Sequence, residues 1–188
     1  IFIDDGSTDE SWTIMKSLSE NNSTKSIRFK KNIGKSAALD VGFLHAKGEV
    51  VITMDSDLQH DPDELSLFLD VQDDVDFVLG YRERDASMPI SRKFSNWITS
   101  KIISSLTKIT IKDSQCGYRR YSLSAIENFD YTETGFQFES EILIKAINEK
   151  SIVEQVKVST IYDENNKSYI KHFSDTIKFI RLIINSIM

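Results

Sequence analysis

The stretch from Val50 to His60 reads VVITMDSDLQH, an apolar run that stops at two acidic residues. The apolar letters of residues 50–54 are typical of a strand that is buried on both faces. Residues two apart in a strand point to the same face, so Asp55 and Asp57 can approach one hard cation. Because open α/β sheets bind ligands at the carboxyl ends of their strands, the pattern indicates a metal and phosphate site.

A simpler interpretation of this stretch stays open. The following letters, HDPDEL, are a good helix start, so the acidic residues can belong to a turn in which Asp61 or Asp63 caps the next helix. A D-x-D pattern at a strand end is weak alone, and its meaning depends on the segments that accompany it.

A second acidic strand end opens the chain, where the apolar residues 1–3 run directly into Asp4 and Asp5. The next residues form an Asp-Gly turn, and Ser7 with Glu10 fits a capping box for a helix that follows. Capping does not require the two aspartates, whose carboxylates at a strand end can accept hydrogen bonds from a base edge or from ribose hydroxyls.

Between the two acidic ends lies the segment KNIGK, residues 31–35, followed by a helical pattern from Ser36 to Ala46. Gly34 lets the backbone approach a ligand, and Lys35 can neutralise a phosphate group. A plain loop and helix start would use much the same letters.

The segments DDGSTDES, NIGKSAALDVGF and MDSDLQHDP, in this order, resemble the donor-site segments of the family 2 glycosyltransferases of the GT-A fold. The later segments LGYRERDA, DSQCGYRRYS and GFQFESEIL are most similar to the branch that makes polyprenyl- or dolichyl-phosphate sugars. The resemblance extends from Ile1 to about Tyr169. It implies an α/β, Rossmann-like GT-A fold with a mostly parallel sheet flanked by helices. Family members normally begin with one more strand, so the usual first strand is expected to be missing here.

Two regions are predicted on this basis. Residues 1–170 form the GT-A catalytic domain, truncated at its N-terminus, and residues 171–188 form an amphipathic or membrane-proximal helix, with a plain packing helix as the alternative. No apolar run reaches the roughly 20 residues that a membrane-spanning helix needs.

Charge is distributed unevenly along the 188 residues, whose net charge is −6. Residues 1–79 carry a net −9, residues 80–120 carry +6 and residues 121–188 carry −3. The basic middle segment indicates an anionic partner there, while the acidic balance elsewhere argues against nucleic-acid binding. Cys116 is the single cysteine, so no internal disulfide can form and a reducing cytosolic compartment is favoured.

The hydrophobic periodicity predicts alternating strands and helices, with an irregular stretch over residues 113–121. Strands are expected at 1–4, 26–29, 50–55, 76–80 and 152–161, and helices near 9–20, 35–46, 62–71, 89–109 and 122–128. A further helix is expected after the segment 135–141 and runs to about Glu149. In the helix near 89–109, an apolar stripe and several basic residues coincide. The stripe packs on the sheet, or else the helix rests partly on a membrane surface.

The resemblance implies a nucleotide-sugar donor, UDP- or GDP-linked, whose diphosphate is bridged by Mg²⁺ or Mn²⁺. Asp55 and Asp57 would hold the metal and Asp4 and Asp5 the nucleoside. Lys35 would lie near the diphosphate or the base, and Gly34 would also belong to the donor site. The reaction would invert the anomeric centre in a single displacement.

The acceptor decides which other residues are needed. A hydroxyl acceptor calls for a general base, for which Glu139 and Glu141 are candidates; they stand about 200° apart in a helix, so only one would face the site. Polyprenyl phosphate is already an anion and needs only cations to position it. The predicted catalytic residues are Asp57, Glu139, Glu141 and Arg119, and the predicted acceptor-phosphate residues are Arg82, Arg84, Arg119 and Gln115.

Three functions therefore stay open at this stage. The first is metal-dependent transfer to polyprenyl phosphate at the cytoplasmic face of a membrane. The second is transfer to a saccharide or protein hydroxyl in capsule or cell-wall synthesis, and the third is nucleotide binding without catalysis. A homo-oligomer is compatible with each of them.

Overall fold

The computed structural model of the protein describes residues 1–20, 23–84, 88–127, 129, 131 and 135–161. Six strands are found in this part of the chain: β1 Phe2–Asp4, β2 Ser26–Arg28, β3 Val50–Thr53, β4 Phe77–Tyr81, β5 Arg119–Ser122 and β6 Val153–Lys157. The helices there are α1 Ser11–Leu18, α2 Lys35–His45, α3 Ser66–Leu69, α4 Ile90–Thr107, α5 Leu123–Ile126 and α6 Phe138–Asn148. Short 3₁₀ helices span Pro62–Leu65 and Gly135–Gln137. The predicted α/β class is confirmed, and the predicted helix at residues 171–188 lies outside the described residues.

The strands form two sheets. β1 and β2 pair in parallel, with Ile3 opposite Ile27. The second sheet has the order β3-β5-β4-β6, in which β5 is antiparallel to both of its neighbours and β4 is parallel to β6. In the described part of the chain, no hydrogen-bonded strand pair joins β1 to β3. The pairing is therefore mixed rather than mostly parallel.

β5 corrects the expectation of an irregular stretch over residues 113–121. Its sequence, Arg-Arg-Tyr-Ser, looks polar, but Tyr121 lies opposite Val51 on one side and Phe77 on the other. The Tyr121 ring is fully buried and meets the ring of Phe77 edge-on at 5.7 Å between centroids. Pairing with two distant strands, and not the local sequence, makes this segment a strand.

The core lies on both faces of the larger sheet, as the period of two along β4 requires. Phe77 packs with α6 residues such as Ile142, whereas the next residue, Val78, packs on the opposite face against Phe68 of α3. β3 is only half-buried along its length, not buried on both faces as predicted. Its pairing with β5 covers one edge, and no strand covers the other among the residues described.

Two helix starts differ in how they are capped. Asp61 accepts a hydrogen bond from the backbone N–H of Asp63 at 3.0 Å, as the sequence predicted. The capping box predicted at Ser7 and Glu10 is wrong, because α1 begins at Ser11 and the backbone N–H of Ser7 donates to Asp4 instead. The turn after β1 is consequently organised by the strand end itself.

Candidate active site

The turn after β1 is hydrogen-bonded to the loop that precedes α2. The Asp5 carboxylate accepts hydrogen bonds from the backbone N–H groups of Ile33, at 2.7 Å, and Gly34, at 2.9 Å. A Cβ at Gly6, where φ is 75°, would lie 2.5 Å from the carbonyl carbon of Lys31, so only glycine permits this approach. Asp5 therefore fixes the loop that leads into the first turn of α2.

Asp4 has a different environment from the one predicted for a nucleoside ligand. Its carboxylate is buried, ion-paired with Arg28 at 3.1 Å, and accepts the Ser7 backbone N–H at 2.8 Å. Both partners are groups of the protein itself, although the Arg28 side chain is 40% exposed. The predicted contact between Asp4 and the nucleoside is not supported by this geometry, since the side chain turns inward to hold the β1 turn.

Lys35, the first residue of α2, brings two acidic side chains together. Its ammonium nitrogen lies 2.7 Å from Asp55 Oδ1 and 2.8 Å from Glu139 Oε2. Burial lowers the pKa of Lys35, but the two carboxylates outweigh it and raise the pKa above its ordinary value. Burial raises the pKa of Asp55, but Lys35 and the other charged neighbours lower it by more, so the net shift is downward. Both groups are therefore charged at neutral pH.

Gly117 forms one wall of this cluster. A Cβ at position 117 would lie 2.8 Å from Lys35 Nζ and would overlap the Asp55 carboxylate. The adjacent hydroxyl of Thr53, at the end of β3, donates to the Gly117 carbonyl at 3.1 Å. The loop between α4 and β5 thus approaches the end of β3 so closely that no side chain fits between them.

Asp57 is the exposed member of the D-x-D pair. Its Oδ1 accepts the Gln59 backbone N–H at 3.1 Å, and the intervening Leu58 has a left-handed φ of 64°. Nearby, the His60 ring is buried with Nδ1 lacking a hydrogen-bond partner in the described structure. Burial is the main cause that lowers the pKa of His60, and Arg82 adds to it, so the imidazole beside this loop stays neutral.

These residues fit a divalent cation only in part. Asp57 offers an accessible carboxylate, which suits Mg²⁺ or Mn²⁺, whereas Asp55 already neutralises Lys35. In the described part of the chain, no cluster of three or more acidic, histidine or cysteine side chains could hold a metal. A cation here would therefore need oxygens from a ligand, as is usual for Mg²⁺ bound by one or two carboxylates plus phosphates.

The two glutamates predicted as bases point in different directions, as their spacing required. α6 begins at Phe138, and Glu139 turns toward Lys35. Glu141 instead pairs with Lys145, one turn further along the same helix, at 2.9 Å. The structure therefore brings Glu139 into the cluster and does not bring Glu141 there.

Arg119 is buried, in contrast to its predicted role as a phosphate ligand. Its guanidinium donates to three backbone carbonyls, those of Cys116 at 2.7 Å, Ser114 at 2.8 Å and Glu139 at 3.0 Å. These bonds tie β5 to the preceding loop and to the start of α6. The geometry supports a positioning role for Arg119, because its donors are committed to the protein backbone.

Asp113 organises the other predicted acceptor residues. Its buried carboxylate accepts from Arg82 Nε at 2.7 Å and from the Gln115 backbone N–H at 2.9 Å. Asn96 of α4 donates to Asp113, and its Oδ1 accepts from Arg84 at 2.7 Å. Burial raises the pKa of Asp113, but Arg82 and the other donors lower it by more. Arg82, Arg84 and Gln115 thus belong to one network.

Asn96 was missed at the level of sequence. Asn96 and Ser100 are two of many polar residues in α4, and the only sign of their importance was a spacing of four, which places them on one face of the helix. In the structure both are buried, and Ser100 Oγ accepts the Ser114 backbone N–H at 3.0 Å. The sequence alone does not identify which residues such a polar pair on a helix would contact.

Residues 1–130 match the model of glycosyl transferase family 2. The chain belongs to this family. Among curated relatives, it is 32% identical over 157 residues to dolichol-phosphate mannosyltransferase of Pyrococcus furiosus, covering 77% of this chain and 43% of the relative. It is 29% identical over 129 residues to undecaprenyl-phosphate 4-deoxy-4-formamido-L-arabinose transferase of Edwardsiella ictaluri, covering 68% of this chain and 40% of that protein.

The solved structures confirm the GT-A fold of this family 2 member. Glucosyl-3-phosphoglycerate synthase from Mycobacterium tuberculosis, crystallised with Mg²⁺ and uridine-diphosphate, matches with a TM-score of 0.75 at 15% identity. That match covers 99% of this chain and 67% of the synthase. The predicted family and branch are confirmed, while the chain spans about two fifths of the length of the curated relatives it matches, 40% and 43% for the two named above.

Proposed function

We propose that this chain carries the catalytic domain of a metal-dependent, inverting transferase that moves a sugar from a nucleotide-sugar donor to polyprenyl phosphate. The observation that supports the proposal most directly is the meeting of Lys35, Asp55 and exposed Asp57 at the end of β3. A cation, two acids and a helix start at one strand end suit a diphosphate and its metal.

The first turn of α2 would bind the donor diphosphate. Helix N-termini attract anions, and α2 runs for eleven residues from Lys35. Asp5 holds Gly34 at φ 105°, which fixes how the loop presents this turn. Gly34 and Lys35 are therefore proposed at the diphosphate, and Asp5 acts by holding the loop and can accept from the nucleoside.

Asp57 would hold the metal together with donor oxygens, and Asp55 would contribute if Lys35 moved to the phosphate. When bound, a Mg²⁺ or Mn²⁺ ion neutralises the charge that develops on the departing diphosphate. The crystal complexes of the mycobacterial synthase with Mg²⁺ or Mn²⁺ and uridine nucleotides support this choice of ligand class. The base and the sugar of the donor stay open between UDP- and GDP-linked compounds.

The state of the glutamates favours a phosphate acceptor over a hydroxyl. Glu139 is buried and paired with Lys35, and Glu141 is paired with Lys145, so each carboxylate is held by a lysine. A hydroxyl acceptor would require one of them as a base, whereas a phosphate reacts as the anion it already is. The names of the relatives, which include undecaprenyl and dolichol phosphate, support the same acceptor class.

Arg82, Arg84 and Gln115 are proposed to receive the acceptor phosphate. The Asp113 carboxylate and Asn96 hold the two arginine side chains in place, which lowers the entropy that binding would otherwise cost. Arg119 would act by positioning the loop that contains Gln115. Such an acceptor places the enzyme at a membrane surface, on the cytoplasmic side.

Nucleotide binding tests the proposal without requiring the complete enzyme. Calorimetry with UDP and GDP should show binding of one of them that strengthens on addition of Mn²⁺. Asp57→Asn should weaken the metal-dependent binding at least about tenfold, because it removes the accessible charged oxygen.

Asp74→Asn, which changes an exposed acid in the turn before β4, is the matched control and should bind as the unaltered protein does. Binding that ignores Mn²⁺, or an equal loss in both variants, would contradict the proposed metal site.

A further inference from the structure

The outer face of α4 exposes an unusual amount of apolar side chain. Ile90 is 83% exposed, Phe94 63% and Trp97 48%. Their spacing of four and then three residues places them in a single line along the helix, and the rings of Phe94 and Trp97 stack at 6.5 Å between centroids. The exposed Lys101 and Lys108 continue the line, and these five residues are called the α4 stripe.

Among the residues that the structure describes, α4 packs against the domain through the face opposite the stripe. On that face, Asn96, Ser100, Ile103 and Thr107 are buried against the rest of the protein. Of the apolar positions expected to pack on the sheet, Leu106 does pack against the core beside β4, whereas Ile90, Phe94 and Trp97 do not. Aromatic side chains left in water at such exposure mark an interaction surface.

Charge indicates what covers this surface. Residues 88–112 contain five basic residues and no acidic one, within a chain whose net charge is −6. A symmetric contact between two copies through the stripe would oppose two such basic segments. An anionic lipid surface complements both properties, since aromatic rings settle at the headgroup level and lysines attract anionic lipids.

The helix that carries the α4 stripe also contacts the proposed acceptor residues. On the inner face of the same helix, Asn96 bonds to Arg84, and Ser95 Oγ accepts from Gln115 Nε2 at 3.2 Å. Arg92 of α4 donates to Gln59 in the D-x-D loop at 3.3 Å. One helix diameter, about 10 Å, separates the two faces. A phosphate at the headgroup level would lie within reach of Arg84.

We propose that the α4 stripe docks into the headgroup region of an anionic bilayer. This docking rests on the proposed function, because a lipid-phosphate acceptor would be reached at a bilayer surface. Vesicle binding measures the docking without measuring sugar transfer. Phe94 and Trp97 enter the interface, while Lys101 and Lys108 contact anionic headgroups.

The two tryptophans, Trp12 and Trp97, make the test specific. In Trp12→Phe, emission comes from Trp97 and should shift to the blue on addition of phosphatidylglycerol vesicles, with quenching by brominated lipid. In Trp97→Phe, Trp12 should show neither effect. Vesicles of phosphatidylcholine alone should bind much more weakly, and added salt should reduce binding to the anionic ones.

Substitutions then separate apolar from charge contributions in a sedimentation assay. Phe94→Ser should lower vesicle affinity about tenfold, as expected for an aromatic side chain that loses its apolar contact. Lys101→Glu should lower it at least about fivefold. Leu44→Ser, which changes a side chain that is 76% exposed on α2, is the matched control and should leave the affinity unchanged.

Three results would overturn the proposal: no binding to anionic vesicles, equal binding by Phe94→Ser and the unaltered protein, or a dimer in solution that Phe94→Ser dissociates. The last result would assign the stripe to a contact between copies. Nucleotide binding should persist in Phe94→Ser. Vesicle binding by a chain that binds no nucleotide would support the docking surface and contradict the proposed function.

Discussion

At the scale of single residues, Lys35 is the centre of the site. The sequence predicted that its charge meets a phosphate, and the structure shows that charge already shared between Asp55 and Glu139. Glu139 is nearly fully buried, and its carboxylate is paired with Lys35 at 2.8 Å. Lys35 thus both stabilises the domain and prepares a positive site, and a donor diphosphate would have to compete with two carboxylates for it.

Removing the lysine charge should therefore reduce stability as well as binding. Lys35→Met is expected to lower the free energy of unfolding by about 2 kcal/mol, a value reduced from that of a fully buried pair because Lys35 and Asp55 are partly exposed. Urea denaturation measures it.

Glu139→Gln in the same background serves as the control. Because the unpaired buried charge is then gone, the double variant should lose less stability than the two single variants lose together. Losses that add independently would show that the Lys35–Glu139 pair contributes nothing.

At the scale of elements, β5 determines how the site is assembled. It places Arg119 beneath the loop of residues 113–117 and beside the first turn of α6. One strand in the middle of the sheet therefore fixes the network around Asp113 and the position of Glu139 at once. Arg119 contributes by positioning these segments, because its guanidinium donates hydrogen bonds to backbone carbonyls.

Arg119→Lys should be costly although it keeps the charge. A lysine cannot reach three carbonyls with the fork geometry of a guanidinium, so at least one buried carbonyl loses its donor. The free energy of unfolding should fall by about 2 kcal/mol.

The neighbouring residue provides the control, because Arg120 makes one long bond of 3.4 Å to the Gln72 carbonyl. Arg120→Lys should cost clearly less, and equal losses in thermal or urea unfolding would contradict the role assigned to Arg119.

At this scale, the sequence predicts those elements whose hydrophobic pattern is local to the element. The strands β1 and β3 and the helices α2 and α4 followed from hydrophobic periodicity, and helix geometry predicted that only one of Glu139 and Glu141 faces the site, without saying which. β5 was not predicted in this way, because Arg-Arg-Tyr-Ser becomes a strand only through pairing with β3 and β4. For the same reason the burial of Arg119 and the partners of Asn96 were out of reach, since they depend on residues far away in the chain.

The D-x-D pair shows the same limit at the site. Alternation in a strand predicted that Asp55 and Asp57 share a face. Their different states, one paired with Lys35 and one exposed, depend on a helix that begins twenty residues earlier. Local spacing therefore identified which residues gather at the strand end, and long-range contacts decided what each of them does.

At the scale of the whole molecule, buried acids tie stability to pH. The pKa values of Asp113 and Asp55 lie below the ordinary value of 3.8. The unfolded chain consequently takes up protons at a higher pH than the folded protein does. The stabilisation is present above about pH 4 and is lost as the pH falls toward the lowered folded values.

Asp113→Asn tests this dependence. It should be less stable than the unaltered protein at pH 7, and its free energy of unfolding should fall less steeply below about pH 4, because one of the linked protons is gone. Urea unfolding at a series of pH values measures the slope. Asp74→Asn, an exposed change, should keep the original slope, and an unchanged slope in Asp113→Asn would refute the linkage.

The separation of the β1–β2 ladder from the four-stranded sheet has a consequence for dynamics. Among the described residues, the two sheets communicate through α2 and its loop, where Lys35 reaches Asp55 and Ser36 Oγ accepts the Gly135 backbone N–H at 3.0 Å. The two short strands of the small ladder are also more exposed than β4, so their amides should exchange with solvent sooner than those of β4. A ligand that contacts both the β1 turn and the end of β3 would then couple the two regions, so that they open together.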